Sequence, residues 1–243
     1  MELRYVIGMD TEHQATPRPV YVVAAHPNWQ DSRVNRRLLQ AAQATETATV
    51  CDLYARYPDY HITVPAEQSH LRGAQMIVLL HPVQWYSMPA LLKLWLDEVF
   101  THGWAYGGGT ALRGKDLWLV ATTGGPEASY HPQGYNRYFF DAFLPPYEQT
   151  AALCGMRFLP PLVLHGAHRV SAADVDAHVA IFAERLASYP QWPELDELEQ
   201  CPACEVPDSD RPTPHPGATG PTHDARAPSG GSAAQSAASV GAR

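Results

Sequence analysis

The sequence predicts an α/β fold, a doubly wound five-stranded parallel sheet with helices on both faces. Two observations carry this. Short apolar runs, almost free of charge and rich in β-branched residues, alternate with stretches whose apolar residues fall at helical spacing. Strands that alternate with helices make parallel neighbours joined by right-handed crossovers, which cover the sheet on both sides.

The elements follow in order. PVYVVAAH (19–26) is uncharged up to its closing histidine, the pattern of a central strand. SRVNRRLLQAAQAT (32–45) sets Val34, Leu38, Leu39 and Ala42 at helical spacing behind Asp31 or Ser32 as N-cap. ATVCDLY (48–54) is a second strand, and Pro65 opens a short helix over 65–73. QMIVLLH (75–81) is the third strand. Pro89 starts a helix through ALLKLWLDEVF (90–100), with Leu91, Leu92, Trp95 and Val99 as an apolar stripe. KDLWLVATTGG (115–125) is a fourth strand that ends in glycines. A helix over 137–154, a fifth strand in RFLPPLVLHG (157–166) and a helix from Ser171 to Tyr189 complete the pattern.

Residues 1–18 read as a flexible polar leader, 19–190 as one domain and 191–243 as a disordered tail. From Glu205 onward Pro, Gly, Ala and Ser dominate, too little apolar surface to offset ordering. The N-terminus meets Asp10, Glu12 and Pro17 before any apolar core of signal-peptide length. Gly73 to Leu92 lacks acids, Lys and Arg, but Pro82 and Pro89 interrupt it, so it reads as strand, loop and helix start rather than a membrane span.

Composition excludes several classes. A formal charge of −8 argues against a basic grip on nucleic acid. Lys93 and Lys115 are the only lysines, too few for a polybasic membrane anchor. The 4 cysteines are too few for a disulfide scaffold and fit a reducing compartment. Cys51 and Cys154 read as core residues. Cys201 and Cys204 form a CxxC that is half a zinc site at most, and no metal site is expected.

In a doubly wound sheet, ligands bind beyond the carboxyl ends of the strands. After strand one, His26 leads to Ser32, Arg33, Val34 and Asn35 at a helix start, where free amides suit a phosphate. After strand three, Val83, Gln84, Trp85 and Tyr86 put two bulky aromatics in a loop between prolines. After strand four, Thr122, Thr123, Gly124 and Gly125 let a ligand approach the backbone. No GxGxxG or Walker pattern follows a strand, which disfavours a dinucleotide site or a P-loop.

AAHP with SRVN, HPVQWYSMPALLKLWLDEVFTHGWAYGGGTALRGK and TTGGPEASY together resemble the flavodoxin-like NAD(P)H:quinone oxidoreductases. They are most similar to the ancillary proteins of bacterial glutathione-regulated potassium-efflux (Kef) systems. The likeness runs from Val20 to Tyr189. It implies a flavodoxin-like flavin-binding domain over 19–190 that holds FMN in preference to FAD. His26 and Ser32–Asn35 would hold phosphate and ribityl; Val83–Tyr86 and Thr122–Gly125 would border the ring. The implied reaction is a ping-pong transfer from NADH or NADPH to a quinone or other electrophilic acceptor. Tyr130 stands where the quinone reductases place a substrate-pocket tyrosine. Their nearby histidine is unmatched, Asn136 standing at its spacing, with His131 as the candidate substitute. The resemblance also implies a cytoplasmic homodimer, peripheral on the inner face of the membrane, docked on a Kef-type transporter. Two other readings stand beside it: a regulatory subunit whose turnover is secondary, and a simple electron carrier.

Deleting residues 205–243 is expected to leave the melting temperature of the domain unchanged; a collapse in a thermal melt would overturn the reading of that segment as a tail.

Overall fold

The computed structural model describes residues 19–198. Five parallel strands, Val20–Ala24 (β1), Ala48–Asp52 (β2), Met76–Pro82 (β3), Asp116–Thr122 (β4) and Arg157–Leu164 (β5), pair in the order β2-β1-β3-β4-β5. β1 is in register with both neighbours, Val22 lying opposite Val50 and Val78. The strands alternate their side chains between two apolar layers. Tyr21, Val23, Ile77 and Leu79 face one, with Leu91, Leu92 and Trp95; Val20, Val22, Met76 and Val78 face the other, with Leu38 and Phe182.

The helices are Asn35–Gln43 (α1), Leu53–Arg56 (α2), Val64–Gly73 (α3), Ala90–Val99 (α4), Pro145–Leu153 (α5) and Ala172–Ser188 (α6). Ser171 caps α6 as its sequence predicts, its Oγ accepting from the Asp174 amide at 3.1 Å. The helix expected over 137–154 begins only at Pro145, after a 3-10 turn at Phe140–Phe143. Proline lacks an amide donor and clashes with the preceding turn, so the Pro145–Pro146 pair can open a helix but not lie inside one. The stretch from Gly73 to Leu92 becomes β3, a loop and the start of α4. No helix among the described residues is long and apolar enough to cross a membrane.

One boundary needs correction. Residues 191–198 were expected in the tail, yet Trp192 and Leu195 are buried in the second layer, around a 3-10 turn at Pro193–Asp196. Polar anchors hold this segment: Trp192 Nε1 donates to the Arg185 carbonyl at 2.8 Å, and Arg157 Nη1 donates to the Leu195 carbonyl at 2.8 Å. The expected leader (1–18), the Cys201–Cys204 pair and the rest of the tail lie outside the described residues.

Buried charge is tied down at two places. Glu67, fully buried on α3, accepts from Tyr21 Oη (2.7 Å), Tyr57 Oη (2.6 Å) and Trp95 Nε1 (2.9 Å), with Arg56 Nε at 3.3 Å. At the amino end of β4, Asp116 accepts from Arg157 Nε (2.8 Å) and Nη2 (3.0 Å) and from Tyr189 Oη (2.7 Å). Such groups are tolerated inside because every strong acceptor is met by donors.

His81, on β3, is wholly buried. Its Nδ1 donates to the Pro82 carbonyl at 2.9 Å, which leaves Nε2 to accept from Tyr147 Oη at 3.3 Å. Burial pushes its pKa down from 6.5 to about 4. The unfolded chain therefore takes up a proton at a pH where the folded chain does not, and stability falls as pH drops from 6.5 toward 4. The loss from this one group is on the order of 3 kcal/mol. In urea unfolding, the stability gap between wild type and His81→Gln should shrink from pH 7 to pH 4.5; a constant gap would contradict the assignment.

Candidate active site

The reversal of strand order between β1 and β3 leaves an uncovered crevice at the carboxyl ends of β1, β3 and β4. It measures about 320 Å³, at the lower end of ligand pockets. Of the expected site residues it gathers His26, Ser32, Arg33, Val34, Asn35, Val83, Gln84, Thr122, Thr123 and Gly124. Trp85, Tyr86 and Gly125 stand beyond its lining, as do Tyr130 and His131.

The first wall is the loop from β1 into α1. Ser32 is buried, and its Oγ accepts from the Arg36 amide at 3.3 Å, which fixes the helix start. The amides of Arg33, Val34 and Asn35 donate to no group among the described residues. Three successive free amides at a helix N-terminus make an anion seat. The Val34 side chain itself turns into the core, so only its backbone serves the crevice. Arg33 is exposed and anchored to the Val170 carbonyl through Nη2 at 2.7 Å. His26 Nδ1 accepts from the Asn28 amide at 3.1 Å. A neutral ring then carries its proton on Nε2, a donor that remains free. Burial lowers the His26 pKa, while the Asp31 and Asp52 carboxylates oppose that shift.

Asn35 bridges two strand ends. Its Nδ2 donates to Thr122 Oγ1 at 2.8 Å, while its Oδ1 is buried with no partner. An unpaired buried acceptor costs about 1–3 kcal/mol, and such groups concentrate where a ligand completes them.

The second wall is the turn after β3. Gln84 and Ser87 exchange backbone hydrogen bonds at 2.9 and 3.0 Å, closing a two-residue turn on Trp85 and Tyr86. Both aromatics take left-handed backbone conformations, φ 48° and 64°. Non-glycine residues held there cost on the order of 1 kcal/mol each. Tyr86 recovers some of it by stacking on Phe143 at 5.2 Å. Trp85 recovers none within the chain, being 94% exposed.

The third wall is the loop after β4. The Thr123 carbonyl accepts from the Ala167 amide at 2.8 Å. In a planar trans peptide the next N–H points the opposite way, so the Gly124 amide faces the β3 side. Neither the Gly124 nor the Gly125 amide donates to a group among the described residues. The two glycines differ in cause. A Cβ on Gly125 would lie 2.7 Å from Ser129 Oγ and Tyr135 Oη, so both side chains would have to shift to admit one. A Cβ on Gly124 would meet only the His168 ring, at an ordinary 3.5 Å. Nothing in the chain demands glycine at 124.

Beyond the crevice, Tyr130 is buried among Phe140, Phe143 and His165. Burial raises its phenol pKa. His131 is exposed, packs its ring against the Phe139 edge and accepts from the Gln133 amide at 3.4 Å. The loop after β5 also contributes, through Ala167 and His168 in the crevice lining and His165 against Tyr130. Sequence reasoning missed these because it applied the strand-end rule after strands one, three and four only; LHGAH after strand five obeys the same rule.

The strand order β2-β1-β3-β4-β5, with an open switch point between β1 and β3, is a flavodoxin-like arrangement. A family model described as flavodoxin-like fold matches residues 18–189, and the chain belongs to that family. It is 47% identical over 173 residues to the glutathione-regulated potassium-efflux system ancillary protein KefG of Pectobacterium carotovorum, covering 71% of this chain and 94% of the relative. Among solved structures, an NADPH-quinone reductase from P. pentosaceus superposes with a TM-score of 0.64 at 27% identity, covering 69% of this chain and 97% of that one. General stress protein 14 of Treponema denticola, solved in complex with FMN, gives 0.63 at 36% identity over 74% and 99% of the two chains.

Trp85→Gly is expected to raise stability in denaturant unfolding by up to about 1 kcal/mol, because glycine occupies a left-handed conformation freely and the exposed indole packs on nothing. A destabilised variant would show that the indole contributes to the fold.

Proposed function

We propose that the chain is a flavin-dependent NAD(P)H:quinone oxidoreductase, with FMN in the crevice, that works as an ancillary protein of a potassium-efflux system. The observation that carries the reading is the convergence of unpaired polar groups on one crevice: the Arg33–Asn35 amides, the buried Asn35 Oδ1 and the Gly124 amide, with the Gly125 amide beyond its lining. These groups fit a flavin mononucleotide, which needs an anion seat at one end and hydrogen-bond partners for a polar ring edge at the other. Relatives point the same way, one solved with FMN and another described as an NADPH-quinone reductase.

In this reading the α1 start and the His26 Nε2–H bind the phosphate and ribityl. Val83, Gln84, Trp85 and Tyr86 border the ring on one side, and Thr122 to Gly125 on the other. The bound flavin would supply two-electron hydride chemistry, from NADH or NADPH to a quinone in a ping-pong cycle. Tyr130 keeps its proton at neutral pH, burial having raised its pKa, and offers its hydroxyl to the acceptor oxygen. His131, exposed against Phe139, sits poorly for the proton role expected of it.

Trp85, Tyr135, Tyr138 and Phe139 are exposed aromatics next to the site. A homodimer with each site near the interface would cover them. Likeness to KefG across 94% of that protein supports a Kef-type transporter as partner, and hence a cytoplasmic protein peripheral on the inner face of the membrane. The same likeness favours a second reading, in which the chain regulates such a transporter and turnover is secondary. A variant that binds flavin but lacks turnover, yet still supports potassium efflux, would favour it.

The visible spectrum of the purified protein tests the main reading. Flavin absorption, release of FMN on heating, and quinone-dependent oxidation of NADH or NADPH are expected. A protein that stays colourless after incubation with FMN or FAD, and oxidises neither nucleotide, would overturn it.

A further inference from the structure

His165, at the end of β5, belongs to no part of the site expected from sequence, and its contacts give it a specific task. The Thr123 Oγ1 and the Gly125 carbonyl oxygen lie 2.7 Å apart, and two oxygens that close need a proton between them. The single hydroxyl proton of Thr123 is therefore given to Gly125. His165 Nδ1 lies 3.0 Å from the same Oγ1, so the ring must be the donor there. This fixes the neutral tautomer with its proton on Nδ1 and leaves Nε2 without a partner among the described residues. The ring is held between Tyr130 at 5.2 Å and the Phe140 edge at 5.0 Å.

The result is a relay of oriented donors, from the imidazole through the Thr123 hydroxyl to the Gly125 carbonyl. Two neighbouring amides reinforce it: Gly166 donates to the same Gly125 carbonyl, and Ala167 to the Thr123 carbonyl, each at 2.8 Å. These bonds turn the carbonyls of the loop toward β5 and leave the Gly124 amide facing the other way. Glu127 is the charged group whose field reaches His165; burial opposes it and keeps the ring neutral.

We propose that His165 is a positioning residue: through Thr123 it sets the conformation of the Thr123–Gly125 loop and so the aim of the Gly124 and Gly125 amides on a bound flavin ring. The proposal rests on the flavin reading above. Amides aimed at the polar edge of the ring stabilise negative charge there, so they favour the reduced over the oxidised form. His165 thus influences flavin potential as well as affinity, without touching the flavin.

The test compares His165→Phe, which keeps ring packing on Tyr130 but loses the donor, with His165→Asn, whose Nδ2 takes the place of Nδ1–H. FMN affinity is read by quenching of flavin fluorescence, and the midpoint potential by spectroelectrochemistry. One hydrogen bond is worth about 0.5–1.5 kcal/mol, so His165→Phe should weaken FMN binding about three- to tenfold. It should also lower the midpoint potential, while His165→Asn stays near wild type on both readouts. Thr123→Val should match His165→Phe, and combining them should add little, because both break one relay. Potentials and affinities for His165→Phe equal to wild type would overturn the proposal, as would His165→Asn behaving like His165→Phe. A wild-type protein that binds no FMN would instead overturn the flavin reading on which the proposal stands.

Discussion

The arrangement rests on one topological constraint, the reversal of direction between β1 and β3. From β1 the chain passes through α1 to β2 at one edge, then returns through α3 to place β3 on the other side of β1. α1 and α6 pack on one layer, and α3, α4 and α5 on the other. At the carboxyl ends of β1 and β3 the two connections therefore leave toward opposite faces, and no helix can cover the gap. Every residue of the candidate site is placed by this departure: the α1 start on one lip, the Trp85–Tyr86 turn on the other, and the β4 and β5 loops closing the side.

The two ends of the sheet treat polar groups differently. At the amino end and within the α3–α4 layer, Asp116 and Glu67 are surrounded by donors from distant segments. Removing one partner there would leave a buried charge unmet, so these networks tie the fold together. At the crevice the same accounting fails to close, with the free amides of Arg33, Val34, Asn35 and Gly124 and the orphaned Asn35 Oδ1. A chain that satisfies a buried carboxylate with four groups has the means to satisfy an amide oxygen. Among the described residues Trp29 Nε1, Trp104 Nε1 and His178 Nε2 are also buried without a partner, but at the crevice such an atom stands beside free amides from two loops.

Much of this was legible in the sequence. The charge-free runs and the capping pattern at Ser171 depend on local spacing, so the five strands and the last helix lie near their expected bounds, while the helix expected over 137–154 starts only at Pro145. Sequence reasoning erred where distant contacts decide. Nothing local shows that Trp192 is held by the Arg185 carbonyl and packed edge-on against Trp118, so the domain was expected to end too early. His131 drew attention because it follows Tyr130 directly, whereas the histidine that lies against Tyr130 is 35 positions further on, at His165, brought there by the pairing of β4 with β5. The loops after strands one, three and four, which meet at the crevice, were legible because the strand-end rule needs no knowledge of pairing.

Backbone conformation separates residues that the fold accounts for from residues that it does not. Gly125 is explained by its own neighbours, since a side chain would strike Ser129 and Tyr135. Gly124 is not, and neither is Trp85, whose indole is placed in solvent by a left-handed backbone. One position lacks a side chain the chain could accommodate, and the other carries a large one at a conformational cost with no internal contact to offset it. Both become intelligible if a flat molecule lies between the two loops: a Cβ at 124 would obstruct its approach to the amide, and the indole would gain a surface to cover. The strain at the β3 turn and the empty position at the β4 turn are then two sides of one constraint, set by a ligand rather than by the fold.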